Sequence, residues 1–163
     1  MRNLIFSTLA VAMLSGLAMA DDVKGKVIAV IDGNTLQVAD NADQIHNILL
    51  IGIDSPELGQ EFGQEARQFL EKMILGKHVT ITFQGKDRLG NALAVVKING
   101  KKDPRLELLK EGLAWTAEKN PLADLESYRS SAQLKGKGLW KQDNPTPPWI
   151  YRREQTMLQR KSS

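Results

Sequence analysis

Apolar and polar positions alternate at a period of two through most of residues 23–53, and past residue 57 the period lengthens to three and four. The first pattern predicts strands over 23–31, 35–38 and 44–53. Asp32-Gly33-Asn34 and the polar turn Asp40-Asn41-Ala42-Asp43 separate them. The second places Phe62, Ala66, Phe69, Leu70, Met73 and Ile74 on one face of a helix running from Glu57 to Leu75 and stopped by Gly76. Two more strands, 79–84 and 92–98, flank the turn-rich stretch Gly85 to Asn91. A short helix over 105–111 follows Pro104 and stops at Gly112, and a third helix over 122–135 ends at Gly136 and Gly138. Leu139-Trp140 is predicted to fold back as a core anchor. The stretch from Gln142 to Pro148 is too proline-rich for a helix, and residues 154–163 read as a flexible C-terminal tail.

Five short strands with a helix between the third and fourth are the element order of a five-stranded OB-fold β-barrel. The predicted class is α+β, with three helices and a closed sheet that leaves little exposed edge. That helix is expected to cover one mouth of the sheet.

The first 20 residues change the picture of where the protein works. Arg2 precedes an apolar run from Leu4 to Leu17 that closes on Ala18-Met19-Ala20, the pattern of a signal peptide, so the mature chain is expected to begin at Asp21. A membrane anchor is the rival reading, but the run falls short of the roughly 20 apolar residues of a span and is diluted by Ser7, Thr8, Ser15 and Gly16. An exported protein, periplasmic or secreted and with no membrane span after cleavage, is therefore expected. The chain has no cysteine, which excludes disulfides, thiol nucleophiles and cysteine metal sites. Lys and Arg number 22 against 19 Asp and Glu, a net charge of +3 without the dense basic patch of a dedicated nucleic-acid binder. His46 and His78 stand alone, with no ligand pair or triad near them in sequence, and read as structural.

Candidate chemistry gathers at the ends of the first strands. Asp32-Gly33-Asn34 and Asp54-Ser55-Pro56-Glu57 could bring oxygen ligands together on one hard cation, with Glu57 reaching a metal-bound water. The same residues are ordinary turn formers, and Glu57 could equally cap the helix that follows. Trp149 and Tyr151 beside Arg152-Arg153 could stack bases or pin the C-terminal segment to the barrel.

Seven stretches then coincide in order and spacing with one family: V-x-D-G-x-T from Val30, L-I-G-I-D-S-P-E from Leu50, G-Q-E-F-G-Q-E-A from Gly59, D-R-L-G-N-A-L-A from Asp87, L-L-K-E-G-L-A-W from Leu108, G-K-G-L-W from Gly136 and P-P-W-I-Y-R from Pro147. On these the chain resembles the staphylococcal-nuclease-like (thermonuclease) family over nearly all of residues 21–153. The resemblance implies an OB barrel and a calcium-dependent phosphodiesterase acting on DNA and RNA. Carried over residue by residue, it puts the metal ligands at Asn34, Asp54 and Ser55, with an uncharged Asn34 where the family has Asp. Any calcium site is therefore expected to be weak or lost. Glu57 matches the water-activating carboxylate. The two phosphate-gripping arginines of the family fall on Leu49 and Asn91, so both are missing. The nucleotide-contacting tyrosines fall on Leu89, Glu118 and Asn120. Gly52, Pro56, Gly112, Trp115, Gly138 and Trp140 match as scaffold.

One arginine at a phosphoryl-transfer site can be worth on the order of 10³ to 10⁵ in rate. The chain is therefore expected to be an exported, monomeric thermonuclease-fold protein, inactive or strongly impaired, that serves as a binding or accessory module. Its partner could be nucleic acid held weakly, a protein or an oligosaccharide. The alternative is a calcium-dependent endonuclease of reduced activity that binds calcium through Asp54, Asn34 and Ser55 and directs water with Glu57; full activity would instead require a cation such as Arg88 or Lys86 to supply the missing charge.

Overall fold

A computed structural model describes residues 22–161. The expected signal peptide over 1–20, its junction at Asp21 and the last two residues lie outside that range. Strands β1 (Val23–Val30), β2 (Thr35–Asp40), β3 (Ile45–Leu50), β5 (His78–Lys86) and β6 (Ala92–Ile98) close into the barrel order β1-β2-β3-β6-β5. All neighbours pair antiparallel except β3 and β6, which run parallel with Leu49 opposite Leu93. A two-residue ladder of β4 (Ile53–Asp54) with β7 (Trp115–Thr116) lies apart from the barrel sheet. The expected five-stranded OB barrel of an α+β protein is thus present.

The strand periodicity explains which residues fill it. Leu36 and Val38 on β2, Ile48 and Leu50 on β3 and Ala94 and Val96 on β6 alternate inward and are fully buried. In β1 the buried side changes parity between Val27 and Val30, because the pairing with β2 slips by one residue between Val27 and Ala29. Helix α1 (Gly63–Ile74) buries Ala66, Leu70 and Ile74 in the same core, as do Leu108 and Leu109 of α2 (Pro104–Lys110) and Leu125 of α3 (Ala123–Leu134).

Two expectations needed correction. The described residues contain four α-helices rather than three: residues 154–161, read as a flexible tail, belong to α4 (Pro148–Lys161). Pro148 is its first residue, where a missing N–H costs nothing. The helix expected from Glu57 begins only at Gly63, because Phe62 at its N-cap takes a left-handed conformation with φ of 67°. Among the described residues no helix is long and apolar enough to cross a membrane.

The motifs read as scaffold meet each other. A Cβ on Gly112 (φ 67°) would come within 2.1 Å of the Lys137 carbonyl oxygen, and one on Gly138 (φ 52°) within 2.2 Å of the Gly112 carbonyl oxygen. Gly112 also accepts the Leu139 N–H at 2.9 Å, which seats the Leu139-Trp140 turn. Gly112→Ala combines a positive φ with a backbone clash, so it should lower the unfolding free energy by about 2 kcal/mol or more. Urea denaturation followed by tryptophan fluorescence would measure it, and a loss below about 0.5 kcal/mol would show that the two segments are not packed in this way.

Candidate functional site

Asp54 owes its place to a break in what the sequence reads as one strand over 44–53. Ile51 and Gly52 turn the chain out of the barrel; Gly52 has φ of 87°, and a Cβ there would meet Leu125 Cδ1 at 2.8 Å. Buried Arg105 fixes the turn by donating from Nη1 to the Ile51 carbonyl at 2.8 Å, while Asp103 holds the other edge of the same guanidinium with Oδ2 2.6 Å from Nη2. The chain then enters the short ladder in which Asp54 lies opposite Trp115.

The Asp32-Gly33-Asn34 turn packs directly against this segment, as expected. Asn34 is buried; its N–H donates to Asp32 Oδ1 at 2.9 Å and its Oδ1 accepts the Ser55 N–H at 3.2 Å. Gly33 is required by closeness, since a Cβ there would sit 2.5 Å from Ser55 Cβ. Ser55 Oγ is buried without a hydrogen-bond partner.

Glu57 is not a helix cap. It opens a turn in which its N–H donates to Gln60 Oε1 and its carbonyl accepts the Gln60 N–H, both at 2.8 Å. The start of α1 touches this turn so closely that a Cβ on Gly63 would lie 1.9 Å from the Glu57 carbonyl oxygen. Gln60 Nε2 in turn donates to the Thr146 carbonyl at 3.1 Å, tying the turn to the segment that leads into α4.

Helix α4 delivers the residue that sequence reasoning passed over. Arg152 Nη1 donates to Asp54 Oδ1 at 3.1 Å and to Glu57 Oε1 at 2.6 Å, and Nη2 donates to Asp54 Oδ2 at 2.7 Å. The neighbouring turns of the helix hold it there. Trp149 meets Trp115 edge to face at 5.7 Å, Trp115 meets Trp140 at 4.4 Å, and Arg153 pairs with Glu118 at 3.1 Å. Trp149 therefore pins the C-terminal segment, one of the two roles open to it. Burial pushes the Asp54 carboxyl above the usual carboxylate range, with the Arg152 hydrogen bonds pulling against it, and those same hydrogen bonds hold the guanidinium protonated. Pro147-Pro148, a helix start, was the only sequence signal that this arginine stands on a helix.

A cleft of about 380 Å³ opens over this group and is lined by Asp32, Asn34, Leu49, Asp54, Glu57, Asp87, Leu89, Asn91, Glu118 and Arg152 among others. Leu49 presents an apolar wall. Asn91 is turned to its own loop, donating from Nδ2 to Asp87 Oδ2 at 2.9 Å and from N–H to Asp87 Oδ1 at 2.8 Å; the side-chain bond is the main reason that the Asp87 carboxyl is held low. Leu89 and Glu118 reach the cleft, whereas Asn120, Arg88 and Lys86 do not line it. The cation at the acids comes from α4, not from the loop before Asn91.

Residues 47–142 match the family model of the staphylococcal nuclease homologues. The chain belongs to this family. Similar proteins include an "Uncharacterized endonuclease" of Escherichia coli O157:H7, 31% identical over 88% of this chain and 94% of its own length. A "Micrococcal nuclease" of Shigella flexneri is 32% identical over 88% of each. An "Uncharacterized endonuclease" of Haemophilus influenzae is 35% identical over 80% of this chain and 73% of its own.

Staphylococcal-nuclease homologues are generally calcium-dependent, so the donor set bears a direct test. Both oxygens of Asp54 and one of Glu57 are taken by Arg152, and the Asn34 amide oxygen is taken by the Ser55 N–H. Among the described residues no group of three His, Cys, Asp or Glu side chains is placed to hold a metal. As arranged, these residues do not fit calcium. Arg152→Gln removes the groups that pull the Asp54 carboxyl down, so its titration midpoint should rise further in the variant. Carboxyl ¹³C NMR would read this, and an unchanged midpoint would show that the ion pair does not persist in solution.

Proposed function

We propose that this staphylococcal-nuclease homologue is an exported binding or accessory module whose phosphodiester hydrolysis is absent or strongly impaired. The observation that carries the reading is the Arg152 bridge: the carboxylate that would direct water, Glu57, is 2.6 Å from a guanidinium that also takes both oxygens of Asp54. A carboxylate oxygen so paired is engaged by the guanidinium rather than held toward a water. Where the family grips phosphate, this chain offers an apolar Leu49 and an Asn91 amide tied to Asp87, so charge developing on phosphoryl oxygens meets no free cation at either position. Five carboxylates, Asp32, Asp54, Glu57, Asp87 and Glu118, line the cleft and oppose an anionic strand lying in it. Export rests on the signal-like pattern of residues 1–20.

A calcium-dependent endonuclease of reduced activity is the second reading. It is favoured by the exposure of the bridge: the Arg152 side chain is 48% and the Glu57 side chain 37% exposed, so the guanidinium can leave without unfolding a core.

The test is cleavage of single-stranded DNA and RNA, with calcium and with chelator, by protein made in a nuclease-deficient host. Rates should fall at least about 10³-fold below those of the Shigella micrococcal nuclease assayed in parallel. Comparable rates that vanish in Glu57→Gln would overturn the proposal. For export, mass spectrometry of protein recovered from the envelope or medium should give an N-terminus at Asp21, and retention of residues 1–20 would contradict it.

A further inference from the structure

A second depression, of about 370 Å³, lies behind the turn that carries Glu57 and shares only Pro56 with the lining of the acidic cleft. Its walls come chiefly from residues 56–61, residues 142–146 and Tyr151 of α4. They are fixed to one another before any ligand arrives. Gln60 donates from Nε2 to the Thr146 carbonyl at 3.1 Å while its Oε1 holds the Glu57 N–H, so the two loops face each other at a set distance. Trp115, half-buried and in edge contact with both Trp140 and Trp149, adds a rigid indole to the lining. The volume lies in the range of about 300 to 1,000 Å³ over which small ligands bind.

The chemistry of this lining is polar but almost without charge. Glu61 is its one charged residue, and no Lys, Arg or His takes part. Glu61, the side-chain amides of Gln142 and Asn144 and the Tyr151 hydroxyl make no hydrogen bond or ion pair among the described residues. Gly59 leaves room beside the phenol, since a Cβ there would lie 2.8 Å from Tyr151 Oη. Amides and hydroxyls each donate and accept, whereas a carboxylate only accepts. A ligand that satisfies them must do both at closely spaced points, next to an indole.

We propose that this depression binds a short uncharged oligosaccharide, with a pyranose ring against Trp115 and its hydroxyls on Gln142, Asn144, Tyr151 and Glu61. The proposal rests on the reading of the protein as a binding module and gives that module a ligand class. Each sugar hydroxyl donates and accepts as these side chains require, and the negative face of an indole attracts the C–H groups of the ring. A phosphate-bearing ligand finds no cation here and is opposed by Glu61. A proline-rich peptide would use the aromatic surface but would leave the two amides and the carboxylate without partners. The tie from Gln60 to Thr146 holds the walls apart in the free protein, which lowers the cost of ordering them on binding.

The experiment is a ¹H–¹⁵N NMR titration of the full chain, in chelator, with cellobiose and with N,N′-diacetylchitobiose. Saturable shifts are expected at the Trp115 indole N–H and at the side-chain amides of Gln142 and Asn144, with the Asn91 amide in the cleft unmoved, and a Kd on the order of 1 mM or tighter for at least one of the two sugars. Tyr151→Phe and Asn144→Ala each remove a hydrogen-bonding group and should weaken binding about threefold or more. Asn144 is exposed, so its variant stays informative even if Tyr151→Phe disturbs the seating of α4. No saturable shift with either sugar, or full affinity in both variants, would overturn the proposal. Tighter binding of a decaproline peptide at the same amides would make this a peptide site and overturn the assignment to a saccharide. Cleavage of DNA or RNA by the wild-type protein would sink the preceding reading on its own, because sugar binding is read in chelator and without nucleic acid.

Discussion

Two carboxylates that share one cleft repel each other unless a cation lies between them, and the cost rises as water is removed. Asp54, with 17% of its side chain exposed, and Glu57 meet this constraint through Arg152, which reaches both with three hydrogen bonds of 2.6 to 3.1 Å. The C-terminal part of the chain is arranged so that this guanidinium arrives at the right place. A long flexible side chain gains little from an exposed ion pair; what makes this one specific is the rigid approach of α4.

That approach is built from aromatic stacking and glycine contacts. Trp149 rests on Trp115, which lies opposite Asp54 in the β4–β7 ladder and against Trp140. Trp140 is set by the turn where Gly112 and Gly138 touch backbone to backbone. A Cβ on Gly59 would come within 2.8 Å of Tyr151 Oη, so the residue before Arg152 packs over the turn that carries Glu57. Barrel, turn and terminal helix thus form one chain of contacts ending at a single arginine.

The staphylococcal-nuclease fold thus frames a cleft whose electrostatics are set by five carboxylates and one guanidinium. Fold sets where the site lies, and the side chains set what it can do. Here an apolar Leu49, an Asn91 bound to Asp87 and a guanidinium in contact with both acids line an acidic cleft, while Arg152, Arg153 and Arg160 border a groove on α4.

Much of this was legible in the chain. Period-two alternation in β2 and β6 and the three-and-four spacing of Ala66, Leu70 and Ile74 follow from local geometry, so the barrel and its covering helix could be read directly, and the V-x-D-G-x-T and G-I-D-S-P-E motifs placed Asn34 beside Ser55. The strand break at Ile51-Gly52 could not be read, because it depends on Arg105, 54 residues further on, capping the Ile51 carbonyl. The late start of α1 depends on Gly63 packing against the Glu57 carbonyl, and the helical state of residues 154–161 on Pro148 and Trp149 finding a seat. Sequence alone determined the barrel, the family and the uncharged residues Leu49 and Asn91. Only the tertiary structure decided which cation meets Asp54 and Glu57, since Arg152 and Asp54 stand 98 residues apart and no local pattern of charge or hydropathy encodes a contact made when a terminal helix folds back over the first strands.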